Sequence, residues 1–118
     1  MANIQVVDPS AGNAHFVVHN GVAYFTDHIC PKDRGPLSIY EQTRVILGRY
    51  DDAFERYGIK KKNILQMNAY LSDVNKSGEF DRAWQEWAGD TVHPATLLLG
   101  VSIPDGFEMS ISLNVAVD

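Results

Sequence analysis

The side chains of this 118-residue chain best suited to proton transfer or covalent chemistry are four histidines, one cysteine and a few carboxylates. His28 stands out among them. An imidazole changes charge near physiological pH, so it can move protons or, when charged, hold an anion. Asp27 precedes it and raises its proton affinity if the carboxylate reaches the ring, although neighbours on a strand point to opposite faces. The plainer role for His28 is a strand-end histidine bonded to a loop carbonyl. His15 and His19 fall on one face of a strand, about 13 Å apart by strand rise, too far to share a metal. His93 precedes Pro94, which holds its backbone extended. Cys30 has neither a helix N-terminus nor an assigned base beside it, and reads first as a loop thiol. No Cys/His spacing suits zinc, so no metal is expected. Asp51-Asp52 reads as a solvated helix face, and Lys60-Lys61-Lys62 as a complement to a helix C-terminus.

The bulk properties narrow the classes further. The length suits one domain, 1–118, and the composition (45% hydrophobic, 21% charged) is ordinary for a globular chain. A net charge of -5 argues against nucleic acid, whose phosphates demand clustered cations. No apolar run is long enough to span a bilayer, so no membrane partner is expected. A single cysteine and an N-terminus without a secretory pattern make the cytoplasm the expected location.

Elements must position these groups, and periodicity predicts them. Residues 4–7 form a short strand. Strands over 14–19 and 22–27 are joined by Asn20-Gly21, a turn whose residues accept positive φ. A loop over 31–36 leads to a long helix over 38–57, its apolar face running from Ile39 through Ile46, Leu47, Tyr50 and Phe54 to Tyr57. Ser38 with Glu41 makes a capping box, and Gly58 follows as the C-terminal stop. A strand over 64–71 precedes a second helix over 79–88, with Phe80, Ala83, Trp84 and Trp87 on one face. The apolar run 95–101 predicts a central strand buried on both faces. Pro104-Asp105-Gly106 turns the chain into a last strand, where Met109, Ile111, Leu113 and Val115 alternate with small polar residues. The order β-β-β-α-β-α-β-β places two helices on one sheet face and leaves the other, half polar, for partner subunits.

Gly12, Asn20-Gly21, Phe25-Thr26, Glu41-Gln42-Thr43, Gly58, Ser72-Asp73, Phe80, Trp84, Pro94-Ala95 and the final Pro-Asp-Gly strand follow in a characteristic order. In that order the chain resembles the RidA (YjgF) family of enamine/imine deaminases over nearly its whole length. The resemblance implies an α+β, chorismate-mutase-like fold: a six-stranded mixed sheet with two helices on one face, assembled as a homotrimer. It also implies small-metabolite clefts between subunits and no cofactor. Active members hold the carboxylate of a 2-imino or 2-enamino acid with an arginine directly after Pro-Ala, and a glutamate on the last strand positions water.

Laid on this chain, that pattern departs at every functional position. The arginine becomes Thr96, the glutamate Ser112, the N-terminal tyrosine Ala14, a pocket Ser-Gly pair Asp27-His28, and a cysteine Leu98. The positions expected at ligand are therefore Ala14, His15, Asp27, His28, Trp87 (walling the cleft from a helix end), Thr96, Leu98 and Ser112, with His28 as the candidate catalytic group. Arginine grips a carboxylate through two charge-assisted bonds, and threonine offers one neutral hydroxyl. Three readings follow: a metabolite binder in which the usual deamination is lost or altered, an enamine/imine deaminase with altered substrate using His28, and an interaction protein acting through the trimer surface. The family's association with RNA cleavage finds no basic, aromatic platform here.

Overall fold

The computed structural model describes residues 2–28, 37–103 and 108–118. The predicted loop at 31–36, Cys30 and the Pro104-Asp105-Gly106 turn lie outside them. Six strands form one sheet: β1 (Ile4–Val7), β2 (Phe16–His19), β3 (Val22–His28), β4 (Ile64–Leu71), β5 (Ala95–Gly100) and β6 (Met109–Ala116). Helix α1 (Ile39–Tyr57) joins β3 to β4, and α2 (Ser77–Ala88) joins β4 to β5. The predicted element order is the observed one. The spatial order is β1-β2-β3-β6-β4-β5. All pairings are antiparallel except β4 with β5.

Local chemistry accounts for the elements. Asn20 and Gly21 take φ of 50° and 76°, as the two-residue hairpin demands. The Ser38 hydroxyl accepts from the Glu41 N–H, and the Glu41 carboxylate accepts from the Ser38 N–H, closing both arms of the capping box. Gly58 ends α1 in the left-handed region at φ 69°. Helix α2 begins two residues before its predicted start, at Ser77.

The strand pattern of β6 divides the sheet into two faces. Met109, Ile111, Leu113 and Val115 are buried beneath the helices, and Ser110, Ser112 and Asn114 lie on the open side. Register carries this division across the strands. Phe25 pairs with Leu113, Leu113 with Met67, and Met67 with Thr96, all on the helix side. Thr26, Ser112, Asn68 and Leu97 form the matching row on the open side. Phe16 and Phe25 stack at 4.3 Å, with Tyr50 and Phe54 edge-on to Phe25. This aromatic cluster fastens α1 to the sheet.

One expectation is corrected. The run at 95–101 is an edge strand, not a central one buried on both faces. Leu97 and Leu99 on its open side are 47% and 41% exposed. The crossover through α2 lays β5 outside β4, and the antiparallel β6 takes the centre. Apolar composition reports burial somewhere, and does not distinguish cover by this sheet from cover by another chain.

Candidate functional site

A small cavity opens where the 8–15 segment crosses the end of β3. Asp8, at φ 48°, turns the chain out of β1, and Ser10 and Asn13 exchange backbone hydrogen bonds across a tight turn. The His15 N–H then returns to the Val7 carbonyl at 2.9 Å. The segment thereby sets Ala14 and His15 above Phe25, Thr26 and Asp27, and α1 contributes Arg49 and Tyr50. These seven residues enclose about 160 Å³. Three of the sequence-selected residues, Ala14, His15 and Asp27, meet there.

An ion pair and a histidine–carboxylate approach flank the space. Asp27 lies on the helix side of β3, and its carboxylate accepts from the Arg49 guanidinium at 3.1 Å. His15 Nδ1 stands 3.9 Å from the Asp8 carboxylate. The same carboxylate accepts the Tyr57 hydroxyl at 2.8 Å, which raises the Tyr57 phenol above its usual range. The His15 ring is edge-on to Phe16, Phe25 and Tyr57, with centroids at 5.4, 6.2 and 6.2 Å. Tyr50 is buried and donates to the Ile111 carbonyl at 2.7 Å. Burial, aided by the Asp27 charge, pushes its phenol well above the tyrosine range. The cavity thus combines the Asp27–Arg49 ion pair with an imidazole 3.9 Å from a carboxylate.

The family model described as Endoribonuclease L-PSP matches residues 4–117. A RutC family protein of Haemophilus influenzae is 30% identical over 102 residues, covering 86% of this chain and 87% of the relative. The chain belongs to the RidA (YjgF) family. The solved structure of a YjgF family member from Neisseria meningitidis shares its fold at a TM-score of 0.84 and 19% identity, over 98% of this chain and 96% of that one. A Rid family protein from Yersinia pestis does so at 0.82 and 21% identity, over 98% and 100%.

The remaining positions that the RidA resemblance selects are dispersed in one protomer. Thr96 is on the helix side of β5, paired with Met67, and exposed at the sheet edge. Leu98 follows on the same side, in the row of Ala69, Ile111 and Asp27. Three strand spacings separate that edge from β3, about 14 Å. Ser112 is on the opposite face from Thr96 and accepts from Asn68 Nδ2 at 3.3 Å. His28 closes β3 opposite Ser110, and its side chain lies outside the described atoms. Trp87 does not line the cavity. Its indole donates to Asp51 at 3.0 Å, and Lys61 Nζ stands 4.1 Å from its ring centroid, in a groove between the helices. His93 bonds the Asp90 carbonyl, as a loop residue should.

Sequence reading missed Asp8, Arg49 and Tyr57. Asp8 and Arg49 are exposed charged positions with no motif around them, and Tyr57 reads from the sequence only as part of the apolar face of its helix. Their partners are set by how α1 lies across the sheet. Among the described residues no three His, Cys, Asp or Glu side chains gather as a metal site, and no helix is long and apolar enough to cross a membrane.

Proposed function

We propose that this RidA-family protein is a homotrimer that binds a small metabolite in clefts between its subunits, and that the ordinary hydrolysis of 2-imino and 2-enamino acids is lost or altered in it. The observation that carries the reading is the combination of Thr96 on an exposed edge strand with Arg49 engaged by Asp27. A neutral hydroxyl stands where carboxylate recognition needs a guanidinium, and the cation at the β3 cavity already has a carboxylate partner. Losing a cation opposite a bound carboxylate costs about 2–5 kcal/mol, or roughly 30-fold or more in affinity.

The need for a second subunit rests on distance. Thr96 and the cavity beside Asp27 belong to separated parts of one sheet, so a neighbouring copy is required to join them. Exposed Leu97 and Leu99 on the open face, beside the polar row of Asn68 and Ser112, fit such an assembly.

The test is release of keto acid and ammonia from 2-aminoacrylate and 2-iminobutyrate, beside an arginine-bearing RidA protein. We expect kcat/KM lower by about 30-fold or more, and tighter binding of propionate by Thr96→Arg. Turnover equal to the relative's refutes the loss of carboxylate recognition. A monomer in sedimentation equilibrium refutes the intersubunit cleft.

A further inference from the structure

We propose that His15, oriented by Asp8, is the acid–base group of this cleft, and that the substrates it serves are small imines without a carboxylate. The inference rests on the cleft reading above and adds the reacting group and the charge class. His15 lines the cavity beside Thr26 and the Asp27–Arg49 pair. Three aromatic rings pack edge-on to it, and Asp8 stands 3.9 Å from Nδ1, leaving Nε2 as the nitrogen without that carboxylate. A carboxylate on that side of the ring favours the imidazolium that forms transiently when the ring takes a proton in the reaction. Asp8 is itself held by the Tyr57 hydroxyl, so the pair rests on α1 rather than on a free side chain.

Charge and size define the substrate class. Among the described residues, the charges at the cavity are the Asp27–Arg49 pair, with Asp8 beside His15 at its margin, and this balance disfavours a further anion. About 160 Å³ admits a molecule of a few heavy atoms, given that liquid water takes about 30 Å³ per molecule. Ala14 keeps that space open with a single methyl group.

The step balances with water as the only co-reactant. The imidazole takes a proton from water as the water oxygen bonds to the imine carbon. The C=N π pair moves onto nitrogen, which receives the proton back from the imidazolium. The imidazole next takes the hydroxyl proton and returns a proton to nitrogen as the C–N bond breaks. Ammonia and a carbonyl compound leave.

The test compares two imines made in situ: 1-propanimine, from propylamine and a flavin amine oxidase, and 2-iminopropanoate, from alanine and an amino acid oxidase. Hydrolysis is read in competition with semicarbazide trapping. We expect the wild-type protein to favour 1-propanimine by about 10-fold or more in kcat/KM. His15→Gln should lower kcat by about 100-fold, the usual minimum for general acid–base catalysis. Asp8→Asn should lower kcat at unchanged KM, with partial rescue by Asp8→Glu, as a positioning residue requires. Retention of wild-type kcat by both His15→Gln and His15→Asn overturns the proposal. Binding of propionamide to the trimer without turnover of 1-propanimine overturns it too, while leaving the cleft reading intact. Absence of both trimer and propionamide binding sinks the two together.

Discussion

Replacing Tyr50 with phenylalanine should destabilise the protein at neutral pH and cease to do so in alkali. Tyr50 is 2% exposed, and its hydroxyl donates to the Ile111 carbonyl at 2.7 Å. Removing one such bond costs about 0.5–1.5 kcal/mol, so Tyr50→Phe is less stable by that amount at pH 7. The buried phenol cannot ionise readily in the folded protein, because burial and then the Asp27 charge raise its pKa. In the unfolded chain it ionises near about pH 10. Above that pH the unfolded state holds fewer protons than the folded state, so stability falls with rising pH. The slope approaches about 1.4 kcal/mol per pH unit for this one group. Phenylalanine has no such dependence. For a 1 kcal/mol hydrogen bond the two stabilities therefore cross near about pH 10.6. The other tyrosines and the lysines titrate in both proteins and cancel in the difference. Urea unfolding at one fixed protein concentration, from pH 7 to pH 11.5, measures it. A stability difference that stays constant across that range refutes the buried, neutral phenol.

Two further outcomes follow from other elements. Ser38→Ala removes the hydroxyl that accepts from the Glu41 N–H; it should lower stability by about 1 kcal/mol, read by thermal denaturation, and no change would mean that the capping box contributes nothing. Leu97→Ser with Leu99→Ser should weaken assembly by roughly 10-fold per leucine, taking about 1.5 kcal/mol for each buried side chain, and sedimentation at graded concentrations reads the shift; an unchanged midpoint would remove these leucines from the interface.

Legibility in the sequence followed the range of the interactions. Asn20-Gly21, Ser38 with Glu41, and Gly58 act on their own backbone or on residues three or four away, so their types alone disclosed the hairpin and both ends of α1. The alternation of β6 was equally plain, because period two is the strand's own geometry. The place of β5 in the sheet was not legible, since an apolar run carries no information about which neighbour covers it. The site divided in the same way. Ala14, His15 and Asp27 were reached through positions in the family pattern, and the structure brings them together. The Asp27–Arg49 and Asp8–Tyr57 contacts join groups far apart in sequence, and only the packing of α1 on the sheet creates them.

The strand that comes last in chain order occupies the middle of the sheet, between β3 and β4. Until residues 109–116 leave the ribosome, the N-terminal β1-β2-β3 meander and the β4-α2-β5 unit have no shared hydrogen bonds within the sheet. During synthesis they are two half-domains tethered by α1, each with a raw strand edge. Completion is therefore abrupt: one eight-residue segment slots in like a keystone, and a chain halted just before it carries nearly all of the sequence but not the sheet.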